Sequence, residues 1–202
     1  GLVPPAAGKV VVDGIEIGSA DRASLKRARA TMQMIAQDPY ESLNPRMRIG
    51  DIVVEPLVVH GQKGGQNRDI AFEALAHAEL TPPEAFIDRR PYELSGGQRQ
   101  RVVIAAALSI KPRLIIADEP VSMLDVSVRA GILNLLTHLA DEDGIGVLMI
   151  THDLSTVAAY SDRIAVMYLG RIVETGRTLD VVANPQHPYT EALLSVVPSH
   201  DP

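Results

Sequence analysis

Between Leu114 and Ile150 the chain repeats one pattern: a short apolar run, a helical stretch, and a second short apolar run. Leu114-Ile115-Ile116-Ala117 and Val147-Leu148-Met149-Ile150 are strands by length and composition, and a helix over about Val126–Ala140 separates them. Short strands that are apolar on both faces and joined by helices imply a mainly parallel sheet with helices covering both faces. The fold class is therefore α/β. A helix over about Gly96–Ile110 precedes the first run, and a short helix follows Asp153. Two hairpins are legible besides. Val10–Val12 and Ile15–Ile17 flank Asp13-Gly14, a favoured tight-turn pair, and Ile164–Tyr168 and Ile172–Glu174 flank Leu169-Gly170. Met32–Ala36 is a short strand closed by Asp38-Pro39.

The middle block differs. From Ile49 to about Glu79 the apolar periodicity is helical, broken at Gly61 and at Gly64-Gly65. Thr81-Pro82-Pro83 breaks it again before a short helix leading to Tyr92. This block carries no strand signal and is expected to be a helical insertion in the α/β core. At 202 residues the chain fits one ordinary domain or two very small ones. No repeat of solenoid period is present.

Composition removes several function classes. Without cysteine there is no disulfide scaffold, thiolate metal site or thiol nucleophile. A formal charge of −6 argues against sequence-independent nucleic-acid binding. The longest apolar run, Val102–Leu108, is seven residues, far below the ~20 that span a bilayer. No secretion signal is visible at the start.

Four polar sites stand out against that frame. Asp118-Glu119 follows the strand Leu114–Ala117 at its carboxyl end, the edge where open parallel sheets bind ligands. Adjacent acids there can divide work, one ligating Mg²⁺ and the other orienting water, although most Asp-Glu pairs in loops are simply solvated. Ser95-Gly96-Gly97-Gln98 opens a helix. Ser95 and Gln98 fit a capping box, which is the structural explanation; a glycine-led helix start also offers bare N–H groups to an anion. Glycine is a poor helix former, so two in the first turn favour the anion-binding role. Thr151-His152-Asp153 follows the next strand, where Asp153 can cap a helix and leave His152 on an exposed turn. Gln37, at the end of the Met32–Ala36 strand, gains interest only as a fourth polar group at the same rim. His60, His77, His138, His187 and His200 have no ligand spacing and are expected to have ordinary surface roles.

These residues resemble ordered motifs of ATP-binding cassette (ABC) transporter ATPases. Leu94-Ser95-Gly96-Gly97-Gln98 resembles the signature motif and Gln37 the Q-loop. Leu114–Glu119 resembles the Walker B strand with its catalytic glutamate, and His152 the switch histidine. Ser122-Met123-Leu124-Asp125 resembles the D-loop, with methionine where alanine is commoner. Two further stretches, Gln37–Arg46 and His187–Leu194, are similar to cassettes of dipeptide and oligopeptide importers, a branch shared with nickel and glutathione importers.

The resemblance implies a P-loop NTPase (RecA-like) fold: a mainly parallel sheet core with an inserted α-helical subdomain. It divides the single cassette into an α/β core (1–44 and 105–183), a helical subdomain bearing the signature motif (45–104) and a tail (184–202). ATP and Mg²⁺ are the implied cofactors. Asp118 would hold Mg²⁺, Gln37 would sense the metal and the γ-phosphate, Glu119 would polarise the attacking water, and His152 would contact the γ-phosphate. Ser95, Gly96, Gly97 and Gln98 would grip nucleotide across a head-to-tail dimer whose seam Asp125 lines. The implied partners are a second ATPase subunit, membrane permease subunits and, indirectly, a solute-binding protein, with no nucleic acid. The implied location is the cytoplasmic face of the inner membrane.

One element of the family pattern is missing from these residues. A P-loop has the form G-x-x-x-x-G-K-[ST]; the Gly-Lys pair here, Gly8-Lys9, is followed by Val10 and has Val3 where the first glycine belongs. It is a decoy. The expectation is a chain that begins after the P-loop and its strands, with a degenerate gene product or a mis-called start as alternatives. These 202 residues alone are then expected to be inactive as an ATPase. Two other functions compete: a non-hydrolysing partner cassette that supplies only its signature motif, and a DNA-repair or chromosome-organising ATPase. The second would need long heptad arms or zinc-binding cysteines, and neither is present.

Overall fold

The protein's structure, a computed structural model, describes residues 5–62 and 67–195. The opening Gly1–Pro4 stretch, the Gly64-Gly65 break and His200 lie outside the described residues. Contacts divide the chain into two units, Gly1–Ile150 and Thr151–Pro202.

The first unit begins with the expected hairpin. β1 (Val11–Val12) pairs antiparallel with β2 (Ile15–Glu16). The turn places Asp13 at φ 49° and Gly14 at φ 76°, the left-handed pair that a two-residue hairpin requires. Helix α1 (Arg22–Thr31) follows, capped by Asp21, whose carboxylate accepts from the Ser24 N–H at 2.6 Å. Sequence periodicity did not reveal it, because Ala28 is its single buried residue.

α1 runs directly into β3 (Met32–Ile35), an edge of the parallel sheet β3-β4-β5. β4 (Leu114–Asp118) is central, with Ile35 opposite Ala117 and Asp118 opposite Ile150 of β5 (Gly146–Ile150). Ile35, Ile115 and Ala117 share one face and are fully buried. The other face differs from expectation: Met34, Leu148 and Ile150 are 59%, 53% and 49% exposed. Apolar strands predict two covered faces, and the described residues bury only one. By strand alternation Asp118 lies on this open face.

The middle block is helical, as expected. α2 (Pro39–Ser42) is a single turn capped by Asp38, and α3 (Ile49–Val59) buries Ile49, Ile52, Val53, Val54 and Leu57. Its first N–H groups are satisfied by tertiary contact rather than by a side-chain cap: Ile49 donates to Arg89 O and Gly50 to Ile87 O. That backbone approach is why position 50 is glycine; a Cβ there would lie 2.7 Å from Ile87 Cγ1. α4 (Asn67–His77) ends with Glu79 at φ 57°, where Leu80 N bonds Leu75 O and buries its side chain. Instead of one short helix before Tyr92 there are two 3₁₀ turns, Pro83–Ala85 and Pro91–Glu93, each opened by a proline, and Pro91 would fall in the interior of any single helix running on to Tyr92.

α5 (Gly96–Ser109) is buried on nearly every side and packs against α3, α4 and the sheet. α6 (Val126–Asp141) packs beside α5 and β5 through Ile132, Leu133, Leu135, Leu136 and Leu139.

The second unit holds α7 (Leu154–Tyr160), the antiparallel pair β6 (Arg163–Tyr168) and β7 (Arg171–Arg177), α8 (Thr178–Ala183) and α9 (Pro188–Ser195). Its core is Ile164, Val166 and Val181, flanked by Leu154, Val157, Tyr189 and Leu193. Glu174 on β7 accepts from the Gln186 and His187 N–H groups at 2.8 and 3.1 Å, fixing the segment that enters α9.

Candidate functional site

Parallel strands end together, so the polar residues just beyond β3 and β4 share one rim. Asp118 is the last residue of β4, and Gln37 stands two residues beyond the end of β3, exposed. Glu119 adopts φ 48°, a left-handed conformation that a non-glycine residue takes at a cost of about 1–2 kcal/mol. The surroundings hold it there. Its N–H extends the ladder to Ile150 O at 2.9 Å, while its carbonyl accepts from the Ser122 N–H and hydroxyl at 3.2 and 3.1 Å. The chain thus turns sharply off the strand and leaves both carboxylates half-exposed.

Ser95 and Gln98 form the capping box legible in the sequence. Ser95 Oγ accepts from Gln98 N at 3.3 Å, and Gln98 Oε1 accepts from Ser95 N at 3.0 Å. The Ser95 hydroxyl proton and the Gln98 amide N–H₂ remain available as donors. The N–H groups of Gly96 and Gly97 have no partners within the helix. The two glycines differ in cause. A Cβ on Gly96 would make ordinary contact, 3.5 Å from Leu124 Cδ2, whereas one on Gly97 would collide with Val128 Cγ1 of α6. Gly97 therefore has a packing requirement that sequence spacing did not reveal, and anion binding is not the sole reason for it.

Asp125 caps α6 through its backbone, with no side-chain capping bond, and is exposed. It lies between two exposed apolar side chains, Met123 at 59% and Val126 at 79%.

In the second unit Asp153 caps α7. Its Oδ1 accepts from the Ser155 and Thr156 N–H groups at 3.0 and 3.3 Å, and its Oδ2 accepts from the Thr156 hydroxyl at 2.9 Å. Partial burial would raise its pKa, but the Ser155 and Thr156 donors outweigh burial and hold the carboxyl below its ordinary value. His152 is exposed on the turn before this cap.

Three of the other described histidines have ordinary partners. His77 pairs with Asp143 at 2.9 Å and His138 with Glu142 at 3.2 Å, while His187 Nδ1 accepts from Tyr189 N at 3.1 Å. His60 ends α3, where burial first, and then Lys26 and Arg29, push its pKa down. Among the described residues no group of three or more His, Asp or Glu could hold a metal ion by itself. A cation at Asp118 would have to bring most of its ligands with it, as Mg²⁺ carried on phosphate oxygens does. Gly8-Lys9 leads into β1, whereas the Gly-Lys of a phosphate cradle opens a helix.

Comparison with known proteins points one way. Residues 1–122 match the family model described as ABC transporter, and residues 173–202 match the oligopeptide/dipeptide transporter C-terminal region. A peptide import ATP-binding protein of Brucella ovis is 48% identical over 202 residues, which are all of this chain and 63% of that protein. A glutathione import ATP-binding protein of Shigella flexneri is 48% identical over 204 residues, covering all of this chain and 32% of that protein. The chain thus spans under two thirds of these relatives' length. Among solved structures, a dimeric ATP-binding cassette in a post-hydrolysis state with ADP and Pi superposes with TM-score 0.74 at 33% identity, covering 88% of this chain and 76% of that one. The cassette cbiO1 of Clostridium perfringens superposes with TM-score 0.79 at 28% identity, covering 91% and 71%.

Proposed function

This chain belongs to the ABC transporter family, and from that premise we propose that it forms part of the ATP-hydrolysing subunit of an importer that takes up dipeptides or oligopeptides. The observation that carries the reading is the acid pair. Asp118 ends the central parallel strand, and Glu119 is held in a left-handed turn that keeps its carboxylate at the rim. Asp13, Glu79, Lys111 and Leu169 take the same left-handed conformation at ordinary turns, so the support comes from the acid pair's place: the carboxyl end of the central parallel strand, where such sheets bind ligands.

Asp118, with Gln37, would hold Mg²⁺, which when bound neutralises phosphate charge. Glu119 orients and polarises the attacking water, and His152 hydrogen-bonds the γ-phosphate. Ser95, Gly96, Gly97 and Gln98 bind the nucleotide of a second cassette through the exposed start of α5. Met123 and Val126 beside Asp125 supply apolar area for that dimer seam. Little covalent chemistry falls to the protein; positioning and charge stabilisation do the work.

In this reading residues 1–44 and 105–183 serve as the α/β core, 45–104 as the helical subdomain that meets permease subunits, and 184–202 as the tail. Among the described residues no helix is long and apolar enough to cross a membrane; the proposed place, a peripheral subunit at the cytoplasmic face of the inner membrane, follows from the importer-ATPase reading. The match of residues 173–202 to the oligopeptide/dipeptide transporter C-terminal region favours peptide cargo. Glutathione is the second reading, favoured by the Shigella relative's name.

The test is Glu119→Gln in the complete protein with its permease. Phosphate release is expected to fall roughly a hundredfold or more, with ATP still bound. Turnover within a few fold of the unmodified protein refutes the assignment.

A further inference from the structure

Arg99 lies one turn into α5, its N–H donating to Ser95 O at 2.9 Å. Its side chain leaves the helix and joins two other elements. Nε donates to Pro91 O at 2.7 Å, anchoring the 3₁₀ turn that leads into Ser95. The guanidinium carbon sits 4.1 Å from the centroid of the Tyr40 ring, within cation–π range. Nη1 is buried with no hydrogen-bond partner, so the Pro91 carbonyl and the Tyr40 ring face together offset the charge at that junction.

Tyr40 stands three residues after Gln37. Asp38 Oδ1 accepts from Tyr40 N at 2.6 Å, and Asp38 O accepts from the Ser42 hydroxyl at 2.7 Å, so α2 is bonded to the residue that follows Gln37. The Tyr40 hydroxyl lies 3.9 Å from where a Cβ on Gly96 would stand. Two segments 59 residues apart in sequence are thus joined by one side chain.

We propose that Arg99 is a positioning residue which, through Tyr40 and Pro91, couples the Gln37 turn to the nucleotide-gripping turn at Ser95–Gly97. The inference rests on the importer-ATPase reading above. A shift of Gln37 moves α2, the Tyr40 ring carries the guanidinium with it, and Arg99 transmits the shift to the start of its own helix. Arg99 touches no reacting atom; it sets where Ser95 and Gly96 stand when the site closes. Lysine substitutes poorly, since it lacks both the planar face and the Nε–H directed at Pro91 O.

The experiment measures ATP turnover by the complete protein with its permease in five variants: Tyr40→Phe, Tyr40→Ala, Arg99→Lys, Arg99→Ala and, in parallel, Glu119→Gln. A contact that matters only in the closed site lowers kcat and leaves KM unchanged. Tyr40→Ala and Arg99→Ala are expected to lower kcat about two- to fivefold with KM for ATP steady, the fold-change of a partly exposed cation–π contact. Tyr40→Phe, which keeps the ring, retains full turnover, and Arg99→Lys falls between. Tyr40 is 59% exposed, so the Tyr40 pair remains readable even where Arg99→Ala fails to fold. The inference is overturned if Tyr40→Ala matches Tyr40→Phe, or if the alanine variants raise KM with kcat unchanged. Normal turnover in Glu119→Gln sinks the importer-ATPase reading itself; loss there alone sinks only the role of Arg99.

Discussion

Gly97→Ala separates packing from nucleotide binding at the start of α5. The new Cβ would land on Val128 Cγ1, with Val128 Cβ and Cγ2 at 3.7 and 3.8 Å, so Val128 must leave its rotamer or α6 must shift. Alanine gains about 1 kcal/mol over glycine in helix propensity, and overpacking costs about 1–3 kcal/mol. The net expectation is a loss of about 1 kcal/mol. Val128→Ala alone costs about 1 kcal/mol for the lost methyl groups of a half-buried side chain. Combined, the two changes fit: the clash disappears and the propensity gain remains. The double variant should therefore be more stable than the sum of the singles by about 1–3 kcal/mol. Urea unfolding midpoints of the complete protein measure this cycle. Additivity within about 0.5 kcal/mol would show that α5 and α6 do not approach so closely. ATP turnover in the same variants reads the second role. The new Cβ takes the space that Val128 Cγ1 held, on the side facing α6, so it leaves the Gly97 N–H open to phosphate and the double variant should recover turnover. A double variant that stays slow once its stability has returned would contradict this and show that the bound phosphate needs the bare glycine.

Two further outcomes follow from the same geometry. Replacing Asp153 by alanine removes the α7 cap and should cost about 1 kcal/mol at pH 7. Because the folded pKa is lowered, that contribution is complete above the unfolded carboxylate value of about 3.9 and fades as pH falls through the folded value. The gap between the two proteins in unfolding experiments should shrink below about pH 4; a gap that widens on acidification contradicts the capping account. The 202 residues by themselves contain no G-x-x-x-x-G-K-[ST] cradle, and each charge-assisted phosphate bond is worth about 1.5–3 kcal/mol. Calorimetry on residues 1–202 should find Mg-ATP binding weaker than about 100 μM, and low-micromolar affinity would contradict that.

Elements with local causes were readable in one dimension. The Asp13-Gly14 turn, the Ser95–Gln98 capping box and the Asp153 cap each depend on residues within four positions of one another. The strands at Leu114 and Val147 were readable because few structures accept four consecutive apolar residues bounded by turn signals. α1 escaped notice because it buries little, and helical periodicity is visible only where a face is buried. The turns at Pro83 and Pro91 looked like one helix because apolar spacing does not register the break that Pro91 imposes by opening a new turn.

What the sequence determined by itself is the inventory: an α/β chain, an acid pair at a strand end, a glycine-led capped helix and a glutamine near a third strand end. The tertiary structure decided which of these meet and under what constraint. It set β4 between β3 and β5, forced Glu119 into a left-handed turn, brought Val128 against Gly97 and laid Arg99 on the Tyr40 ring. Each of those results depends on residues distant in the chain, whose approach is set by helix packing and strand register, and short-range spacing carries no record of either.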